Sequence, residues 1–417
     1  MRRPGSTTPI ILDGTTLEGG GQLVRNALCL SALTGTPIEI HNVRGSRHSG
    51  SGGLKAQHLA CANWLGKACN ARMEGAERGS RKLVFMPGRG EGGGESHLGH
   101  APVFTKVMEE GKPWYECEFD IETAGSTGLG LQAILPFILF SHLPSDIPIR
   151  LTMKGGTNVS ASPSYEYVSQ VFLPTLENIG FPKMTTRLSK RGWYAGGNTI
   201  GEWTLEIPPR ETLVLPAFTL APSSALERYE KDIKHLHGTF LGPQARHKEF
   251  VRDLLTTITR HFGDSYTLEN NNLTITCEDT HDARRIYFIL VASMPFTPDE
   301  RDTRTYKLAR DWLYEDRRQA FTAPLAERVV SQVAEDVKSG AWVDGCMRDQ
   351  LVIFQALAQG RSEVHPGVDQ DEVLRKASMH AETAAWVAGR LLGTKEDGFG
   401  EWGGGSCTKI GGGDGVE

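Results

Sequence analysis

Short apolar runs alternate with helix-patterned stretches through residues 1–185, and no other feature constrains the fold of this chain as tightly. Residues 10–12 read as a strand, 14–21 as a glycine-rich loop, and 22–33 as a helix with Leu23, Ala27 and Leu30 on one face. A strand over 37–43, a helix over 54–69 and a strand over 82–86 follow. The pattern resumes with a strand at 118–121, a glycine-rich turn at 125–130, an apolar helix at 131–140, a strand at 151–153 and a helix at 165–179. Such alternation predicts an α/β (α+β) chain assembled from similar units. No strict sequence repeat marks the units.

Texture changes after residue 185. Residues 186–299 hold their own helix at 244–260 and strands at 266–268, 273–277 and 286–292, which predicts a small inserted α/β domain. The charge-dense segment 297–318 reads as a linker or surface helix, and helical patterns return at 324–337, 348–358 and 382–392. Residues 88–98 are low in complexity and read as a loop, within a long connection spanning 88–116. A length of 417 residues leaves room for two or three domains.

Composition excludes some classes. The net charge of −5 argues against a protein that coats nucleic acid through a generally basic surface. It permits an enzyme that grips one nucleic-acid end with a few arginines. No apolar run is long enough for a membrane span, and no signal peptide is evident, so an intracellular protein of the nucleus or cytoplasm is expected. The seven cysteines are dispersed without a C-x-x-C pair, as in a set of reduced thiols.

Three clusters could carry chemistry. In Asp13-Gly-Thr-Thr-Leu-Glu18-Gly-Gly-Gly-Gln-Leu-Val-Arg25 a strand, a glycine-rich loop and a helix follow one another, the order of an anion cradle. No Gly-Lys-Ser/Thr follows, so it is not a Walker loop. Glu18 could hold a divalent metal and Arg25 a phosphate; a tight turn with a solvated acid is the alternative. Arg44, Arg47, His48, Gln57 and His58 make a second cluster, whose arginines suit phosphate oxygens, or a basic solvated loop. The third is Met379-His380-Ala-Glu-Thr383 at a helix start. Positive potential there favours a neutral imidazole, which is a nucleophile or base; a capping histidine is the alternative. His97-x-x-His100 has loose metal-ligand spacing inside the low-complexity loop.

Taken together, these segments resemble the RNA 3′-terminal phosphate cyclase family. The resemblance rests on residues 13–25, on Arg44-x-x-Arg47 with Gln57-His58, and on Thr123-Ala-Gly-Ser126 with Gln132. Gly155-Gly156-Thr157-Asn158, Ser162-Pro163 with Glu166-Tyr167, Asp349-Gln350-Leu351 and His380-x-x-Thr383 complete it, in family order. Residues 191–198 depart from the family pattern, with Ala195 where proline is usual. A basic loop expected to carry glycine at 316–320 lacks it.

The resemblance implies a catalytic domain over 1–185 and 300–417, built of repeated α/β units, and an inserted domain over 186–299. It implies ATP-dependent conversion of an RNA 3′-phosphate to a 2′,3′-cyclic phosphate. His380 would become adenylated, and the AMP would pass to the RNA end. Glu18 would hold Mg²⁺ or Mn²⁺. Arg25, Arg44, Arg47, Gln57 and His58 would neutralise phosphate oxygens. Gln132 would lie near the α-phosphate, and Pro163, Tyr167, Asp349 and Gln350 would line the nucleotide pocket. The competing expectation is a non-catalytic cyclase-like protein of ribosomal RNA processing. Such relatives look to have lost the nucleophilic histidine, so the presence of His380 with its arginines favours the enzyme.

Overall fold

One arrangement of strands recurs three times. The computed structural model describes residues 8–46, 52–88, 103–141, 146–194, 197–209, 214–222, 233–297, 301–315, 321–396 and 401–403. The first unit runs β1 (Ile10–Asp13), α1 (Gly21–Thr34), β2 (Ile38–His41), α2 (Ala56–Ala68), β3 (Arg72–Glu74) and β4 (Leu83–Met86). Its sheet order is β1-β2-β4-β3, with β1 parallel to β2 and the remaining pairs antiparallel.

The second unit runs β5 (Thr105–Glu109), β6 (Lys112–Asp120), α3 (Thr127–Phe140) and β7 (Ile149–Gly155). A helical stretch follows, from α4 (Tyr165–Tyr167) through a π turn (Val168–Phe172) to α5 (Leu173–Asn178), then β8 (Thr185–Lys190) and β9 (Gly201–Ile207). Pro174 lacks the N–H and crowds the preceding turn, which accounts for the widened helix just before it. The order β6-β7-β9-β8 repeats that of the first unit, with β5 added on the edge of β6.

The third unit is split. It begins at β10 (Thr219–Leu220) and resumes with α8 (Gly345–Leu357), β15 (Arg361–Val364), α9 (Met379–Leu392), β16 (Lys395–Glu396) and β17 (Glu401–Gly403). Its order β10-β15-β17-β16 has the same parallel–antiparallel pattern. Between its halves lies a different sheet of β11 (His235–Gly242), β12 (Leu273–Asp279), β13 (Ile286–Pro295) and β14 (Thr305–Tyr314), ordered β12-β11-β13-β14. Helix α6 (His247–Phe262) joins the parallel β11–β12 pair, and α7 (Thr322–Lys338) packs on β13, β14 and α6. Strands of the interval 186–299 therefore divide among three sheets: β8 and β9 pair with β7, β10 with β15, and β11 to β13 with β14.

The core follows from ordinary patterning. In β6, Tyr115, Cys117 and Phe119 point inward between exposed or half-buried acids. Helix α1 is buried along almost its whole length because α2, α3 and α9 pack around it. Burial pushes the Cys61 thiol up to about 12, as for any thiol sealed among apolar groups.

Three expectations fail. Segment 297–318 contains strand β14, not a linker or helix. Its charge is satisfied internally: Arg310 binds Asp336 through two hydrogen bonds of 2.6 and 2.9 Å, and Asp311 accepts from Tyr287 at 2.9 Å. Residues 266–268 form a turn, held by Asn270 and Asn272 side-chain amides donating to the Ser265 carbonyl. Within the connection 88–116, residues 105–116 belong to the β5–β6 hairpin, closed by Glu110 and Gly111 with φ of 48° and 79°, and residues 89–102 lie outside the described residues.

Candidate functional site

Helices from all three units aim their N-termini at one cavity of about 840 Å³. The first turns of α1 and α2 reach it through Gly21, Gln22, Gln57 and His58. Those of α3 and α4 contribute Leu129 and Tyr167, and those of α8 and α9 contribute Cys346 and His380. Helix N-termini carry partial positive charge and unpaired N–H groups, so their convergence favours a polyanion. Arg25, Arg44, Lys55 and Arg78 line the same space and add whole charges of that sign.

The loop before α1 sets the first group. Its glycines leave room for the site's side chains: a Cβ on Gly20 would lie 2.0 Å from the Glu18 carboxylate and displace it, and one on Gly21 would lie 2.5 Å from His58 Nε2. The Glu18 side chain is held nearly buried, with its backbone N–H donating to Thr383 Oγ1 at 3.2 Å. Thr383 Oγ1 in turn donates to the Met379 carbonyl at 2.6 Å. This tie to α9 brings Glu18 Oε1 within 3.9 Å of His380 Nδ1.

His380 is the second residue of α9. The Ser378 hydroxyl caps that helix by accepting from Ala381 N–H at 3.0 Å, and donates to the Asp349 carboxylate. Burial raises the Asp349 pKa, partly offset by the Ser378 hydrogen bond and the nearby His380. The His380 side chain remains about half exposed, at 48 %, so a substrate can reach it.

On the opposite side Arg25 is buried. Its Nε donates to Gln132 Oε1 at 3.1 Å and its Nη2 to Gln22 Oε1 at 2.8 Å. His58 Nδ1 accepts from the Lys55 N–H at 3.2 Å. In the neutral ring this leaves the proton on Nε2, the atom that faces Gly21 and Arg25. Arg44 sits at a left-handed φ of 55° and donates from Nη1 to the Gly53 carbonyl at 3.2 Å. Tyr167 is buried and donates to Asp344 Oδ1 at 2.7 Å.

Glu18, Arg25, Arg44, Gln57, His58 and Gln132 thus share one cavity, and Pro163, Tyr167, Asp349, Gln350 and His380 complete its lining. Arg47 lies outside the described residues, as do His97 and His100. Among the described residues no group of three or more His, Cys, Asp or Glu side chains converges as a metal cage.

The family model for RNA 3′-terminal phosphate cyclases matches residues 16–397. The chain belongs to that family, a family of enzymes. It is 28 % identical over 386 residues to the RNA 3′-terminal phosphate cyclase of Korarchaeum cryptofilum, covering 93 % of each chain. Against that of Methanosarcina mazei it is 28 % identical over 387 residues, 93 % of this chain and 96 % of the relative. Against that of Pyrococcus furiosus it is 37 % identical over 210 residues, 50 % of this chain and 53 % of the relative.

Sequence reading missed the wall that this cyclase-family chain builds from its fourth sheet. Tyr287, Asp311, Trp312, Leu313 and Glu315 all line the cavity. Ser164 and Tyr287 share a 2.6 Å hydrogen bond between their hydroxyls, and Tyr287 continues to Asp311. Burial, with the charges of Asp344 and Glu166, pushes the Asp311 carboxyl up to about 6. The alternation of Tyr306, Leu308 and Arg310 was the available signal, but the surrounding charge hid it. Arg191 fastens this sheet to the second unit: its guanidinium bridges Glu166 (2.6 Å) and Glu278 of β12 (2.6 Å from Nη2). No helix among the described residues is long and apolar enough to cross a membrane.

Proposed function

We propose that this chain converts RNA 3′-terminal phosphates to 2′,3′-cyclic phosphates at the expense of ATP, with His380 as the nucleophile. One observation carries the reading: an accessible imidazole on the first turn of α9, beside Glu18, in a cavity ringed by helix N-termini and arginines. With Nδ1 toward the Glu18 carboxylate, Nε2 is the nitrogen left for attack. Its lone pair attacks the ATP α-phosphorus; the bond to the bridging oxygen breaks and pyrophosphate leaves. An oxygen of the RNA 3′-phosphate then attacks the α-phosphorus, freeing His380. The adjacent 2′-hydroxyl closes on the 3′-phosphorus, loses its proton and expels AMP. The hydroxyl requirement makes the last step specific to RNA.

The side chains have matching tasks. Arg25, with Gln22 and Gln132 fixing its fork, and His58 Nε2–H neutralise phosphate oxygens where charge builds up. Arg44 meets the RNA terminal phosphate, with Arg47 and Gln57 in support. Pro163, Tyr167, Asp349 and Gln350 enclose the nucleotide. Mg²⁺ or Mn²⁺ fits one protein carboxylate, Glu18, with phosphate oxygens and water completing the shell, as hard cations in nucleotide sites commonly do. Such an ion would offset the triphosphate charge. The sheet β11–β14 with α6 and α7 acts as the inserted domain, and the edges we propose are at 220–233 and 338–345, where sheet membership changes.

The test uses ATP labelled at the α-phosphate, with Mg²⁺ or Mn²⁺. The wild type should retain an acid-labile, alkali-stable adduct after denaturation, and His380→Ala should retain none while staying folded. Cyclic ends formed at the wild-type rate by His380→Ala would overturn the mechanism.

A further inference from the structure

Two aromatic rings on the rim of the cavity take no part in the chemistry above. Tyr194 lies in the turn after β8 and Trp312 in β14, and both line the cavity. They stay open to water, Tyr194 at 62 % and Trp312 at 36 %. The backbone beside Tyr194 and the ring of Trp312 are nonetheless anchored. Trp193, the residue before Tyr194, is buried, and its backbone exchanges hydrogen bonds of 3.0 and 2.9 Å with Thr199. The Arg328 guanidinium carbon sits 3.1 Å from the centre of the Trp312 ring, which closes one face and fixes its plane.

Rigid aromatic faces beside cationic side chains suit single-stranded nucleic acid, because every base has a π face and every link a phosphate. Arg44, Lys55 and Arg78 supply the cations along the same cavity. ATP can be enclosed whole. A polymer whose 3′ end reaches His380 must leave its upstream nucleotides at the mouth, where Tyr194 and Trp312 stand exposed. We propose that Tyr194 and Trp312 form a stacking platform for the last bases of the RNA strand, whatever their sequence. This rests on the reading of the cavity as a site for RNA 3′-phosphate ends.

Fluorescence anisotropy of a 5′-fluorescein hexaribonucleotide with a 3′-phosphate reads the platform without turnover. Tyr194→Ala and Trp312→Ala should each weaken binding by roughly tenfold, the scale of one lost base stack. Trp312→Phe should bind much more tightly than Trp312→Ala. A hexamer lacking its last two bases should bind the wild type about as weakly as the intact hexamer binds the alanine variants. Unchanged affinity in both alanine variants would overturn the proposal. So would a rise in the ATP KM for self-labelling with RNA affinity unaltered, which would assign the rings to the adenine. Wild-type protein that binds the RNA through these rings but takes no label from ATP would sink the adenylation mechanism instead and leave the platform standing.

Discussion

Glu18 Oε1 and His380 Nδ1 lie 3.9 Å apart, although one belongs to the first unit and the other to the third. Thr383 makes the connection, accepting from the Glu18 N–H and donating to the Met379 carbonyl. The carboxylate can therefore orient the imidazole without a hydrogen bond between them. Both groups move together with the N-terminus of α9.

Thr383→Val tests this tie, since it keeps the shape and deletes the hydroxyl. Glu18 loses its anchor while α9 keeps its Ser378 cap. Self-adenylation should slow about tenfold, the effect of one hydrogen bond of ordinary strength. The melting temperature should move by a few degrees at most. Wild-type adenylation in Thr383→Val would show that the tie does not position the pair.

Gly21→Ala probes the opposite wall. The added Cβ would lie 2.5 Å from His58 Nε2 and 2.7 Å from Arg25 Nη1, so both side chains must shift. Displacements near 1 Å at a reacting centre cost about a hundredfold in rate. The expected outcome is kcat/KM for cyclisation reduced on that scale, with an unchanged far-ultraviolet circular dichroism spectrum. A variant as active as the wild type would remove His58 and Arg25 from phosphate neutralisation.

The cavity was largely legible before the structure because its residues sit in local motifs. Glycines before α1, Gln57-His58 at the start of α2 and His380 at the start of α9 each carry their own backbone signature. The repeated unit was legible in the first 185 residues, where strand and helix alternate on both sides of the 88–116 connection. It was hidden in the third unit, because the whole β11–β14 sheet separates β10 from α8. Two-residue β10 carries no periodicity of its own and gains its identity by pairing with β15. The Tyr287–Asp311 wall was hidden for a similar reason: its polar residues look solvated until Ser164 arrives from a distant part of the chain to pair with Tyr287, and Tyr287 with Asp311.

Asp344 predicts a pH dependence of stability. It is buried at the N-cap of α8, and burial pushes its carboxyl from 3.8 up to about 6, despite hydrogen bonds from Met347 N–H and Tyr167. A folded-state pKa above the unfolded one means that the folded protein binds more protons between the two values. Through this group, then, unfolding free energy falls as pH rises from about 4 to about 6, and the penalty is complete above that window. Urea titrations across this range should show a shallower fall for Asp344→Asn than for the wild type. Parallel slopes for the two proteins would contradict the raised pKa.

Asp336 predicts how firmly the fourth sheet is locked to the third unit. Its buried carboxylate takes two hydrogen bonds from Arg310 of β14 and a third, at 2.7 Å, from Arg375. Arg375 lies three residues before the Ser378 cap of the His380 helix, so one carboxylate fastens both the cavity wall and the nucleophile's helix. Both arginines keep about a quarter of their side chains exposed, which lets water screen them once the carboxylate is gone. Asp336→Ala should therefore cost about 3 kcal/mol, the low end for breaking a buried pair. A double-mutant cycle with Arg310→Ala should recover part of that loss, because the neutral pair leaves fewer charges uncompensated. Urea unfolding midpoints at constant slope measure both quantities. Strict additivity of the two substitutions would mean that Asp336 acts through α7 packing rather than through Arg310.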